Sequence, residues 1–211
     1  MAAAVHHLPL FIAAALLVNL TPGPDMLFVA TSSVSHGRRA GGLAALGVGT
    51  GCLLHVALAA LGLSALLAAS APAFLPLRWV GAAYLVWMGL SMWRVRGSAA
   101  AGSDINSPVS KVFWQGVWTN ALNPKVALFF LAFLPQFIDP DADGQAVSFV
   151  LLGLLFSLGG TLVNLTVALL ASGLGRRLAG AGRAAWLVPV LRRGAGLLFV
   201  ALGLKLAFDS R

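Results

Sequence analysis

The chain has 211 residues, 59% of them apolar and only 9% charged, with a formal net charge of +8. Soluble domains carry about 25% charged residues, so the bilayer must be the solvent for much of this chain. The positive balance does not indicate nucleic acid, which needs a basic surface stripe; here Lys and Arg sit in short loops at the ends of apolar segments.

A hydrocarbon core about 30 Å thick takes about 20 apolar residues of helix. Six segments come close, at roughly 8–34, 42–69, 74–93, 112–137, 146–172 and 194–208. They predict an all-α polytopic membrane protein with six transmembrane helices and a single transporter domain over 1–211. The N-terminus lacks the basic region of a signal peptide, having only His6 and His7, so the first segment is expected to be retained.

Segment one reads LLVNLTPGPDMLFVATSSV, with Pro22, Gly23 and Pro24 in its middle. Each proline removes a backbone donor and clashes with the preceding turn. In lipid the freed carbonyls must find partners or line a cavity. The segment therefore reads as two half-helices, the second capped by Thr21 with Pro22 in its first turn. The break lies about 20 Å along the segment at 1.5 Å per residue. Segment two carries Cys52, His55 and a GTG run at 49–51. With one cysteine there is no disulfide framework or CxxC pair within the chain. His55 has no His or Cys near it and is expected to be a packed, neutral side chain.

Segment three, with Trp79, Tyr84 and Trp93, is followed by the small, polar stretch 97–110, which reads as a linker. Segment four reads WTNALNPKVALFFLAFL, with Asn123 expected to cap a second half-helix that begins at Pro124. That break lies about 17 Å along its segment. Trp79, Trp93 and Trp114 are expected to be interface anchors. Segment five contributes GGT at 159–161, and Asn164 and Thr166 are expected to be hydrogen-bond glue between helices. Segment six is short.

Basic loops alternate with poor ones. Arg38 and Arg39 lie in the first loop, Arg94, Arg96 and Lys111 in the third, and Arg176, Arg177, Arg183, Arg192 and Arg193 in the fifth. The second loop has only Arg78, and the fourth carries Asp139, Asp141 and Asp143 instead. The positive-inside bias makes the odd loops cytoplasmic and places both termini outside. Residues 77–90 can be laid over 191–204, and GTG parallels GGT. Three helices on each side of the linker then predict an inverted 3+3 repeat, about 1–96 and 111–211, a recurrent plan for secondary transporters.

Each second half-helix starts with unpaired N–H groups and a positive dipole end, which attract a carboxylate. Unwound carbonyls before the breaks can receive an ammonium. Both groups sit on one carbon in an amino acid, which favours a zwitterionic solute over a sugar or a metal. Asp25 and Lys125 follow the two breaks directly, and intramembrane charges are costly enough to need partners. Lys125 can hold a carboxylate, and Asp25 an amine or a coupling proton. The alternative is a mutual salt bridge that staples the halves. Asn19 and Asn120 precede the breaks and can bond freed carbonyls.

NLTPGPD at 19–25 followed by HGRRAG at 36–41, and NPKVALFFLAFLPQF at 123–137, resemble the two signatures of the LysE/RhtB amino-acid exporter family. GAAYLVWMGL at 81–90 resembles its third helix. The likeness covers essentially the whole chain and neither signature departs from the pattern. It implies efflux of amino acids or derivatives across the bacterial cytoplasmic membrane, driven by protons, with homoserine, its lactone, threonine and branched-chain or basic amino acids as family substrates. By motif match the functional stretches fall on Asn19, Thr21, Pro22, Gly23, Pro24 and Asp25, and on Asn123, Pro124 and Lys125. No cofactor or metal is implied, and the oligomeric state is left open, a homodimer included. A cation exporter would want carboxylate, Cys or His clusters, and the chain has no Glu and one Cys. An intramembrane enzyme would need a nucleophile–base pair or HExxH-type spacing, which the sequence lacks. A membrane protein that only binds partners has no use for two charged breaks.

Overall fold

The computed structural model describes residues 5–63, 109–139 and 144–178, with Trp79, Ala82, Ala83, Val86, Trp87 and Leu90 in the third segment and Leu197, Val200, Ala201 and Leu204 in the sixth. These isolated positions are all helical. Tyr84, Trp93, most of the linker and the full count of six helices lie outside the described residues. Within them the protein is helical, with no strand and a single isolated antiparallel bridge between Val5 and Ile138.

The first helix, α1, spans Leu8–Leu20. It ends where it does because a residue before proline is pushed out of the helical region. Thr21 precedes Pro22 and is extended (ψ 121°), and Gly23 precedes Pro24 and is extended as well (φ −146°, ψ −174°). Only after Pro24 can the helix resume, and it then runs over Pro24–Leu58. A straight helix of that length would reach about 50 Å, well beyond a hydrocarbon core of about 30 Å. Gly37 interrupts it with φ 83°, ψ 179°, a backbone that side chains disfavour. Residues 33 and 41 would stand about 12 Å apart in a straight helix. Instead, a Cβ on Gly41 would lie 2.5 Å from Ser33 Oγ. The chain thus turns back at Gly37, giving α2 (residues 24–36) and an antiparallel α3 (residues 38–58), which a π turn continues over Ala59–Leu63.

Helix α4 spans Val109–Ala121, so the linker's last two residues are already helical. Helix α5 spans Pro124–Leu128 and runs on through a π turn, Phe129–Phe133, and a 3-10 turn, Leu134–Phe137. The two stretches are bent by 42° at the break. Helix α6 spans Gln145–Leu178.

Glycines let α3 and α4 meet backbone to backbone. A Cβ on Gly47 would press on Phe113 O, one on Gly51 on Val117 O, and one on Gly116 would lie 2.6 Å from Ala44 O. Small residues at such contacts are how membrane helices gain packing without a hydrophobic drive between them. From Gly47 at Phe113 to Gly51 at Val117 the numbers rise together, so α3 and α4 run parallel. Along α6 they run oppositely: Gly41 meets Ala168, Gly49 meets Thr161 and Val56 meets Gly153. Hence α2 and α4 are antiparallel, as are α3 and α6, the directions an inverted arrangement requires.

Within Pro24–Leu63, which turns back at Gly37, and within Gln145–Gly173 there are apolar helical runs long enough to cross a membrane, and Lys111–Ala121 with Pro124–Phe137 meets the same length and composition together, as a broken span or a re-entrant loop. Leu151, Leu158, Leu162 and Leu170 of α6 face outward, as do Trp79 and Trp114. Such an apolar exterior suits lipid rather than water. Inside, Phe11, Phe129, Phe130, Phe133, Phe137, Phe149 and Phe156 pack at the end away from the Gly37 turn. Phe129 stacks on Phe156 with centroids 4.4 Å apart. Near the turn, small residues take over: Val29, Ala44, Ala45, Val48, Val112 and Ala168.

Candidate functional site: two helix breaks around one cavity

Both breaks come to the same place. Asn19, Asp25, Asn120, Lys125, Cys52, Ser157, Thr161 and Asn164 line a single cavity among α1, α2, α3, α4, α5 and α6. Its volume of about 20 Å³ holds about one water, so this conformation is closed to anything the size of an amino acid.

Asn123 caps α5 as its sequence suggests: it is extended (φ −78°, ψ 109°), and its Oδ1 accepts from the Lys125 amide at 3.0 Å, with Pro124 in the first position. The first break differs from expectation. Thr21 does not cap α2. It closes α1, its hydroxyl donating back to Leu17 O at 2.7 Å, and Gly23 takes the capping position with Pro24, not Pro22, as the first helical residue. The reason is that Pro24 holds Gly23 extended, so a helix begun at Pro22 would have to run through a disfavoured residue.

A proline cannot donate to the carbonyl four residues before it; for Pro22 that is Val18, and for Pro124 it is Asn120. Each of these carbonyls keeps a bond from the third residue on, Thr21 N–H to Val18 O at 3.2 Å and Asn123 N–H to Asn120 O at 2.8 Å. Both are met a second time from across the fold. Lys125 Nζ donates to Val18 O and to Thr21 O, each at 3.1 Å. His55 Nε2 lies 3.0 Å from Asn120 O. A carbonyl can only accept, so this nitrogen carries the proton. The His55 ring also packs on Phe130, with centroids 5.8 Å apart. The expectation of a packed histidine misses this second task. The signal that could have found it is the arithmetic of Pro124 minus four, but which residue answers it depends on how α3 packs on α4.

The breaks also cross-link through Asp25. Asn120 Nδ2 donates to Asp25 Oδ2 at 2.8 Å. Asp25 lies in the first turn of α2, where the helix dipole favours an anion. Lys125 sits in the first turn of α5, the wrong end for a cation, but its ammonium reaches the carbonyl end of α1, where a cation is favoured. Gly23 leaves room for that reach, since a Cβ there would lie 3.2 Å from Lys125 Nζ. The unwound carbonyls do receive an ammonium, and it is the protein's own. The described contacts include no ion pair between Asp25 and Lys125, so a mutual salt bridge does not staple the halves in this conformation.

Three buried polar atoms at the breaks have no partner: Asp25 Oδ1, Asn120 Oδ1 and Asn123 Nδ2. Neither asparagine near a break bonds a freed carbonyl with its side chain. Asn120 holds Asp25, and Asn19 Nδ2 donates to Phe156 O on α6 at 3.1 Å. Gly160 makes space for Asn19, whose Oδ1 would be 2.9 Å from a Cβ there. In segment five Thr166 turns its hydroxyl onto Leu162 O of its own helix, so it glues nothing across helices. Asn164 is buried, lines the cavity and bonds no described residue.

Apolar spans, two proline-broken helices and charged residues directed into a mid-span cavity define a membrane transporter rather than an enzyme. The chain belongs to the LysE type translocator family, whose model matches residues 16–210. It is similar to a homoserine/homoserine lactone efflux protein of Salmonella typhi, 31% identical over 201 residues that cover 90% of this chain and 91% of that protein. A leucine efflux protein of Enterobacter sp. (strain 638) is 36% identical over 146 residues, 67% of this chain and 68% of that protein. An uncharacterized membrane protein of Vibrio cholerae is 31% identical over 204 residues, 96% of this chain and 97% of that one. No solved structure matches.

Proposed function

We propose that the chain exports amino acids or their derivatives, homoserine, homoserine lactone, threonine or similar, across the bacterial cytoplasmic membrane by proton antiport. The observation that carries this reading is the reciprocal crossing at the breaks: Lys125 of one reaches the open carbonyls of the other, and Asp25 is held by Asn120 across the same cavity. The unpartnered acceptors Asp25 Oδ1 and Asn120 Oδ1 suit a substrate ammonium, while Lys125 and the unpartnered Asn123 Nδ2 suit a carboxylate. Asn19, Thr21, Pro22, Gly23, Pro24, Asp25, Asn120, Asn123, Pro124 and Lys125 are thus the binding region. The names of the two efflux relatives support amino-acid-like solutes.

Alternating access follows from the closed cavity: a solute enters when the two halves part and the Lys125 and Asn120 bonds between them open. The opposed directions of α2 and α4, and of α3 and α6, support an inverted 3+3 repeat. A parallel α3 and α4 also calls for a return crossing by the third segment. Exposed Arg38 and Arg39 at the Gly37 turn support a cytoplasmic first loop and outward termini. Asp25 is the group we assign to the coupling proton, and a homodimer is compatible with this arrangement.

The test is efflux of labelled amino acids from preloaded proteoliposomes under an imposed pH gradient. The wild type exports, and Asp25→Asn and Lys125→Ala lose at least about 90% of the rate, as expected for groups worth more than about 1.4 kcal/mol to the transport step. Unchanged efflux in both variants removes the breaks from the mechanism, and insensitivity to the gradient removes proton coupling.

A further inference from the structure

Helices α1 and α5 are joined twice, once at the breaks and again at the end of the bundle away from the Gly37 turn. At the breaks Lys125 Nζ, from the first turn of α5, bonds Val18 O and Thr21 O at the end of α1. At the far end the chain before α1 pairs with the chain after α5. His6 N–H donates to Phe137 O at 3.0 Å, and Val5 and Ile138 form the isolated antiparallel bridge. His7 makes the sharp bend between this strap and α1, with φ 54° and ψ 37°, a left-handed backbone that residues other than glycine adopt rarely.

Between the two joints stands a column of rings. Phe156 forms part of the cavity wall. Phe129 stacks on it at 4.4 Å, Phe133 lies 5.4 Å from Phe129, and Phe137 lies 5.2 Å from Phe133. Phe11 of α1 closes the column from the side, 6.1 Å from Phe129 and 5.3 Å from Phe137. All five rings are buried, and the column ends at the strap. Toward the Gly37 turn the buried cluster is instead built of alanine and valine. Packed rings alone make an ordinary core. The backbone that carries them sets this column apart. Helix α5 is regular only over Pro124–Leu128, then loosens into a π turn and tightens into a 3-10 turn. Such turns depart from the regular helical register, and they recur at hinges and functional sites. Phe129, Phe133 and Phe137 all ride on this irregular stretch.

We propose that α1 and the irregular end of α5 form the outward gate of the cavity, with the phenylalanine column as its plug and the Val5–His6 strap as its latch. This rests on the exporter reading above, in which that end faces outward. Lys125 couples the gate to the site. A substrate carboxylate that draws the ammonium away from Val18 O and Thr21 O undoes the inner joint between α1 and α5 and leaves the strap to hold the rings together. Release of the strap then parts Phe11 from Phe129 and Phe137 and opens the plug.

The test places Val5→Cys and Ile138→Cys together in the full chain in proteoliposomes; the chain's own Cys52 is buried. Facing residues of an antiparallel pair stand about 4.5–5.5 Å apart at Cα, a span that a disulfide bridges. Oxidation is expected to lock the latch and cut export at least about tenfold, as a gate held in its closed population must, and reduction to restore it. Either cysteine alone is expected to be indifferent to the oxidant. Failure of the disulfide to form, or full export by the oxidised protein, overturns the inference and leaves the exporter reading intact. No export by the wild type removes the exporter reading and the inference with it. Cys52 lines the cavity and gives a second readout, independent of the double variant. Phe129→Ala takes away the ring stacked on the cavity wall and is expected to speed labelling of Cys52 by a membrane-impermeant thiol reagent from the outward face about tenfold. An unchanged labelling rate overturns the gate.

Discussion

The two helix breaks solve one problem with different parts. At each, a proline withholds its donor from the carbonyl four positions earlier, which keeps a bond from the residue three on and gains a second donor from another segment. At the first break the donor is a charged ammonium that bonds Val18 O and Thr21 O together. At the second it is the ring of His55, which meets Asn120 O. The first break is wide, with two prolines and an uncapped glycine; the second is narrow, with a side-chain cap from Asn123. The first break is therefore held by a long side chain of the other. The second is held by its own cap, by the helix behind it and by the bond from Asn120 to Asp25. The first break thus depends more on a side chain that reaches in from elsewhere.

That asymmetry can be broken in steps. Lys125→Ala takes the ammonium away from Val18 O and Thr21 O and leaves Asp25 without the nearby cation, so it is expected to cost about 1.5–3 kcal/mol, seen as a large fall in melting temperature in detergent and in loss of export. His55→Leu removes one of the two donors to Asn120 O and is expected to cost about 0.5–1.5 kcal/mol. Its melting temperature drops less than that of Lys125→Ala, and export falls without vanishing. An equal or larger effect of His55→Leu would show that the second break depends as much on its cross-fold donor as the first. Asn123→Ala removes one cap, about 1 kcal/mol, and the freed Lys125 amide should show faster hydrogen exchange at the start of α5. Gly23→Ala is expected to have the smallest effect, about 1 kcal/mol at most. Its Cβ only nudges the flexible end of Lys125, which a modest rise in the substrate concentration for half-maximal export would report.

The positions of the breaks were legible because proline acts locally: Pro22, Pro24 and Pro124 can be read without knowing any neighbour. The cap at Asn123 was legible for the same reason. Thr21 was misplaced because two prolines compete within three residues, and the later one wins through its effect on Gly23. The turn at Gly37 falls at the basic HGRR run that marks the first loop. His55 and Asn19 were not legible in their roles, since each depends on what faces it from another helix. Asn19 and Asn120 looked equivalent in sequence, each just before a break, yet one ties α1 to α6 and the other holds Asp25.

The sequence by itself determined that the bilayer is the solvent, where two helices must break, and which charges lie beside the breaks. These follow from side-chain transfer energies and backbone donors, which belong to single residues. The tertiary structure decided which side chain meets the carbonyls beside each break, that Asp25 and Lys125 are held by amide and carbonyl groups rather than by each other, and that Asn164 lines the cavity without a bond to any described residue. Those outcomes depend on the glycine contacts that set the register of α3 against α4 and α6, and a register between distant segments is a property of packing that no single residue carries.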